Sequence, residues 1–275
     1  MVPDPLPSPG LGTSGNDDPE ECAATVERAL EVGYRHVDTA QMYDNEAAVG
    51  EGLRRATGGP EPGEGIPREE VLVASKVHPD NLAGEDVLAT TEDSRERLGV
   101  ETIDLMYVHW PVSAYEPGET LPAFDRLRDE GTIRHVGVSN FTPELLDEAR
   151  EILDAPIVAH QVEMHPYLPQ EELVDYARRH GHALVAYSPL AQGEVLDDPV
   201  LREIAEAYDA TPAQVTLAWL HAKDAVVPIP KGRGDHVDEN YAARELDLDD
   251  EDLARIDAID RRERIIDPDE AAWNR

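Results

Sequence analysis

Eight short β-branched runs, each followed by an amphipathic stretch, predict an α/β chain closed into a (β/α)8 TIM barrel. The alternation itself implies parallel strands covered by helices on the outer face. The length of 275 residues suits eight such units. No linker or composition shift divides the chain, so residues 1–275 are expected to form one domain with a short C-terminal tail. The Gly/Pro-rich Gly58–Pro67 reads as an exposed loop, too short to separate domains.

Strands are expected at Leu11–Thr13, Tyr34–Asp38, Val71–Ser75, Ile103–Val108, Ile133–Val138, Ile157–Gln161, Ala183–Tyr187 and Val226–Ile229. The first is assigned only because something must precede the first helix. Asp18-Pro19 supplies a cap and a proline at the first helical position, and that helix runs to Gly33. Thr142-Pro143 and Thr211-Pro212 start two more in the same way, the latter ending near Lys223. Further helices are expected over Ala47–Arg55, Glu85–Leu98, Leu121–Glu130, Gln170–His180 and Asp250–Asp260. Pro199–Tyr208 reads as an inserted helix between the seventh strand and its crossover.

Charge narrows the function classes. Lys+Arg is 24 against Asp+Glu 59, a net charge of −35. On a surface of roughly 12,000 Å² that is one net negative charge per roughly 340 Å². Such a field repels nucleic acid and anionic membranes. The acid is spread along the whole chain, and lysine is reduced to Lys76, Lys223 and Lys231. This pattern reads as adaptation to a salty cytoplasm, where screening shortens the Debye length to about 3 Å at molar salt. A single cysteine, Cys22, allows no internal disulfide. The N-terminus has no basic region followed by an apolar one, and no apolar run reaches the ~20 residues of a membrane span. A cytoplasmic location is expected.

Barrel enzymes carry their sites at the C-terminal ends of the strands. Polar groups follow every run: Thr13, Asp38-Thr39, Lys76, His109-Trp110, Ser139-Asn140, Gln161, Tyr187-Ser188 and Lys231. Two of the three lysines that survive lie there. Gly10-Leu11-Gly12-Thr13-Ser14-Gly15 fits a dinucleotide fingerprint, but four prolines precede it and acidic residues open the next helix, which would repel a pyrophosphate. His160 to His165 looks rich in ligands, yet the two histidines are spaced so that they do not share a strand face, and no metal is expected.

The polar segments together are recognisable. Arg35 to Glu46, reading RHVDTAQMYDNE, resembles the first signature of the aldo-keto reductases. Ala74-Ser75-Lys76-Val77 and Tyr107-Val108-His109-Trp110-Pro111 resemble the segments completing that family's catalytic tetrad. Gly137 to Phe141, Gln161-Val162-Glu163, Tyr187 to Leu190 and Ile229-Pro230-Lys231 resemble its cofactor segments. The resemblance runs from about Gly10 to Asp260 and points to a prokaryotic member. It implies reduction of small aldehydes and ketones by a monomer, with Asp38, Tyr43, Lys76 and His109 as the tetrad. The chemistry suits these types. A developing alkoxide needs a proton, which Tyr43 can give, and the Lys76 cation should draw the phenol's pKa down from about 10. Asp38 would hold Lys76 charged, and His109 would aim the carbonyl.

The resemblance further implies that Ser139, Asn140 and Gln161 hold a nicotinamide carboxamide and that Tyr187 stacks on the ring. Ser188, Leu190 and Gln192 would follow the pyrophosphate. Lys231 would meet a 2′-phosphate and Asn240 the adenine, with Thr13 beside them, so NADP(H) is preferred and NAD(H) accepted. Ser14, Met42 and Trp110 would line the substrate pocket. Several features depart from the family. The usual arginine after Ile-Pro-Lys is shifted: Arg233 comes early and His236 lies near its place. Ser14 stands where many members have an aromatic, and the residues before Gly10 are too few for the family's floor-closing hairpin. The orientation of Trp273 is open. Two other functions compete: a Schiff-base lyase or aldolase using Lys76, and a sensor that binds NADPH without turnover.

Overall fold

The computed structural model describes residues 6–58 and 65–274. Most of the expected Gly58–Pro67 loop therefore lies outside the described residues. Eight parallel strands lie in chain order: β1 (Leu11–Gly12), β2 (His36–Asp38), β3 (Leu72–Val77), β4 (Ile103–Val108), β5 (Ile133–Ser139), β6 (Ile157–Glu163), β7 (Ala183–Tyr187) and β8 (Val226–Pro228). Backbone hydrogen bonds close the seam between the two ends of the sheet. Gly10 N donates to Pro228 O at 3.0 Å and Gly12 N to Pro230 O at 3.1 Å. A Cβ on Gly12 would sit 2.7 Å from the Ile229 carbonyl oxygen, so the close approach at this seam requires glycine.

The helices are α1 (Pro19–Val32), α2 (Glu46–Thr57), α3 (Gly84–Leu98), α4 (Pro117–Asp129), α5 (Pro143–Ile152), α6 (Glu171–His180), α7 (Pro199–Ala207), α8 (Pro212–His221), α9 (Asp235–Ala242) and α10 (Asp250–Asp257). The predicted caps form: Asp18 accepts from Glu21 N, Thr142 from Leu145 N, and Thr211 shares a capping box with Gln214. Two helices depart from expectation. Helix α4 starts at Pro117 rather than Leu121, because Pro122 is tolerated inside it and Pro117 takes the first helical position. Helix α9 occupies part of a segment read from sequence only as a cofactor loop.

Alternation along the strands divides the core in two. Val73, Val77, Met106, Val108 and Val138 point outward and pack under α1–α5, while Leu184, Ala186 and Val226 do so under the later helices. Each such aliphatic burial contributes about 1.5–3 kcal/mol. The inward residues Leu72, Ala74, Leu105, Tyr107, Ala159, Val185 and Val227 fill the barrel, and Leu6 joins them. The ring of Tyr107 needs Gly137, whose Cβ would lie 2.5 Å from it. The same two-residue period carries each inward row up to a polar side chain: Ala74 to Lys76, Tyr107 to His109, Gly137 to Ser139, Ala159 to Gln161, Val185 to Tyr187. An apolar plug thus ends in a polar floor at one mouth of the barrel.

Candidate active site

That floor opens into a cavity of about 1040 Å³. Asp38 and Lys76 lie at its base as an ion pair buried from solvent. Lys76 Nζ also donates to Thr39 O at 2.8 Å, and Gln161 Nε2 donates to Asp38 Oδ2 at 2.8 Å. Lys76 lies within β3, since that strand runs past the predicted end at Ser75. Burial opposes the charge on Lys76, but the Asp38 carboxylate and Tyr43 more than offset it, so its pKa lies above the ordinary lysine value.

Tyr43 closes a 3-10 turn, Gln41–Tyr43, and its ring is 5.1 Å from Lys76 Nζ and 5.8 Å from the His109 ring. The direction of its titration differs from expectation. Burial pushes the phenol pKa up and outweighs the downward pull of Lys76. The hydroxyl therefore stays protonated, which is the form a proton donor needs. His109 is held neutral, its pKa well below the usual histidine value because of burial, then Lys76, then His78. Its Nδ1 has no partner among the described residues.

The strand ends are laced together. Ser139 Oγ donates to Gln161 O at 2.9 Å. Asn140 Nδ2 donates to His109 O and to Ser139 Oγ, each at 3.0 Å, and Tyr187 OH donates to Asn140 Oδ1 at 3.0 Å. Thr13 Oγ1 donates to Asp38 O at 3.0 Å. Asn140 and Ser188 hold positive φ angles of 65° and 46°, as do Ala191 and Gln192 at 47° and 53°. Left-handed backbone at non-glycine residues is costly and collects where a fixed shape is needed.

Of the predicted residues, Thr13, Ser14, Asp38, Met42, Tyr43, His109, Trp110, Asn140, Gln161, Tyr187, Ser188, Leu190, Gln192 and Lys231 line the cavity. Lys76 and Ser139 lie beneath it. Arg233, His236 and Asn240 are not in its wall. Arg233 reaches the Gly15 carbonyl and lies 3.3 Å from Glu21. His236 pairs with Glu239 at 2.9 Å, and Asn240 donates to Lys231 O at 3.2 Å. Lys76 and Lys223 are each paired with a carboxylate. Lys231 has none within 4 Å among the described residues. An unpaired ammonium in so acidic a chain, at one end of a cavity floored by amide and hydroxyl groups, fits a phosphorylated dinucleotide.

Sequence reasoning passed over several contributors. Gln41 ties the turn carrying Tyr43 to its surroundings: its Nε2 donates to Thr90 O at 3.0 Å, and its Oε1 accepts from His78 N at 2.9 Å and Asn81 Nδ2 at 3.0 Å. Asp80 and Ser113 belong to loops after β3 and β4, and Ile266, Pro268 and Glu270 to the tail. Trp273 folds inward, its ring 5.7 Å from that of Trp110. His165, considered as a metal ligand, instead lies 2.8 Å from Glu163.

The sequence profile of the aldo/keto reductase family matches residues 9–261. The chain belongs to this family. It is 36% identical to methylglyoxal reductase DkgB of Salmonella typhi, over 98% of this chain and 99% of that protein. It is 38% identical to glyoxal reductase of Bacillus subtilis strain 168, over 96% of this chain and 93% of that one. The solved structure of a Bombyx mori aldo-keto reductase in complex with NADP superposes with a TM-score of 0.87 at 29% identity, covering 96% of this chain and 92% of that one. The aldo/keto reductases are oxidoreductases that reduce carbonyl groups with nicotinamide cofactors. In the family member described here no helix among the described residues is long and apolar enough to cross a membrane.

Proposed function

We propose that this aldo/keto reductase converts aldehydes and ketones to alcohols at the cavity above Asp38 and Lys76, with NADP(H) preferred and NAD(H) accepted. The carrying observation is the buried Asp38–Lys76 ion pair, with the Tyr43 ring 5.1 Å from Lys76 Nζ and 5.8 Å from the His109 ring. A nicotinamide cofactor, when bound, would supply the hydride that reduces the carbonyl carbon. Tyr43 passes its hydroxyl proton to the carbonyl oxygen, and Lys76 stabilises the phenolate left behind. Asp38 keeps Lys76 charged, which works against amine catalysis through a Schiff base. His109, as a neutral imidazole, hydrogen-bonds and orients the substrate oxygen.

Ser139, Asn140 and Gln161 would hold the carboxamide end of the cofactor, its ring would stack on Tyr187, and Ser188, Leu190 and Gln192 would follow the pyrophosphate. Thr13 and Lys231 would take the phosphorylated end, with Arg233, His236 and Asn240 nearby. Ser14, Met42 and Trp110 face the substrate. The relatives suggest small dicarbonyl compounds of the methylglyoxal and glyoxal type as first substrates to try. The family resemblance favours a monomer, and the chain is read as one domain working in the cytoplasm of a prokaryote; the acidic surface supports salt adaptation and works against binding nucleic acid.

Tyr43→Phe tests the reading. NADPH consumption with methylglyoxal, followed by absorbance in ~3 M KCl to screen the surface charge, should fall by about 10²–10⁴-fold. NADPH affinity, read by fluorescence, should stay within about threefold, a change under ~1 kcal/mol. Turnover near the wild-type rate would refute the proton-donor role.

A further inference from the structure

The tail that walls the cavity has almost no regular structure of its own. Among the described residues beyond Asp257, only a 3-10 turn, Ala272–Asn274, is formed. Even so, Ile266 and Pro268 face the cavity, and Trp273 rests on Trp110. Some of its attachments are exposed. Arg261 reaches Glu194 at 3.1 Å, Asp267 accepts from Trp273 Nε1 at 2.8 Å, and Arg264 covers the Trp273 ring at 3.9 Å. Exposed contacts of this kind contribute little each.

One attachment is different. Glu163 ends β6 on the inward row, two positions beyond Gln161, and is fully buried. Its Oε1 accepts the Ile265 amide at 2.8 Å and its Oε2 the Ile266 amide at 2.9 Å. His165 Nε2 lies 2.8 Å from Oε1 and is itself fully buried. Burial works against the charge on Glu163, but His165 and the two amides outweigh it and hold the carboxyl below its usual range. Charge-assisted bonds to two successive amides in a dry site are the strongest restraint on the tail. A buried carboxylate also needs those donors, so strand and tail depend on each other.

We infer that Glu163 is a positioning residue that sets substrate specificity, clamping the C-terminal tail as the outer wall of the substrate pocket. The inference rests on the reductase reading for its substrates but not for its geometry. A carbonyl compound long enough to reach Ile266 and Trp110 gains affinity from the clamped wall. One the size of methylglyoxal, bound at Tyr43 and His109, gains little.

Glu163→Gln keeps the shape and replaces one acceptor oxygen with a donor that faces an amide N–H. For an aromatic aldehyde such as 4-nitrobenzaldehyde, KM should rise about tenfold, the loss of one ordinary hydrogen bond. Its kcat should change far less, and kcat/KM for methylglyoxal should fall by less than about threefold. Amide hydrogen exchange at Ile265 and Ile266, which needs no turnover, should speed up by about tenfold or more. Ile265→Pro deletes the other donor and leaves Glu163 and the Ile266 side chain in place, so it should reproduce the same KM pattern even where Glu163→Gln folds poorly. Unchanged exchange, or an equal loss for both aldehydes, overturns the inference. If the unaltered protein reduces neither aldehyde, the reductase reading fails, and exchange alone still decides whether Glu163 clamps the tail.

Discussion

Lys76→Met removes the cation from the base of the cavity while nearly keeping its volume. Asp38 is left buried with Gln161 Nε2 as its remaining side-chain partner. Breaking a buried pair on one side costs about 3–5 kcal/mol. At roughly 2–4 °C per kcal/mol for a chain near this size, Tm should fall by about 6–20 °C at pH 8. In the unaltered protein the pKa of Lys76 is raised above its unfolded value. Its stabilisation is therefore complete below the unfolded value of about 10.4 and is lost only as pH rises through the folded one. The unaltered pair should contribute equally at pH 5 and pH 8. Melts by circular dichroism in molar KCl, run beside NADPH consumption, read both effects. A Tm unchanged at pH 8 would refute the role assigned to the pair.

Other tests follow from the same structure. Lys231→Ala should weaken NADPH by about 10–100-fold, the loss of one charge-assisted bond, and NADH by much less; equal losses in fluorescence titrations would mean that Lys231 does not read the phosphate. His160 and His182 are pushed down to about 3, mainly by burial. Both are neutral in the fold, so unfolding takes up protons below about pH 6.5 and stability is lost as pH falls from there. Each should cost roughly 2 kcal/mol at pH 5, and His182→Gln should lose about that much less between pH 7 and 5 in urea melts. Tm should climb between 0.1 and 3 M KCl as repulsion among the net charge of −35 is screened; a flat curve would remove the case for salt adaptation.

The alternation of β-branched runs with amphipathic stretches, and the polar group that follows each run, made the barrel and its polar floor legible in sequence, because the inward rows run up to Asp38, Lys76, His109 and Gln161. Strand limits were less visible: β3 and β6 run on to Val77 and Glu163, since polar side chains at the barrel mouth interrupt the apolar pattern without ending the backbone ladder. The titration of Tyr43 was read backwards, because sequence names the neighbouring cation but not the desolvation that opposes it. Glu163 was in view only within a cofactor-like segment and a ligand-rich run for which no metal was expected, as its partners lie in the tail, about a hundred residues away along the chain. The roles of Arg233 and His236 depend on side-chain directions that spacing alone does not give, and both turn to acidic neighbours.

The seam between β1 and β8 has a consequence for how the protein matures. Thr13 and Lys231 face one cavity from opposite ends of the chain, and they are neighbours only because Gly10 and Gly12 bond to Pro228 and Pro230. A nascent chain still on the ribosome cannot assemble this end of the pocket until the segment around Lys231 has emerged. Contacts of such long sequence separation form late and slowly. Cofactor capture then acts on the finished ring and not on its parts, drawing the closed barrel out of the pool of incomplete ones by mass action.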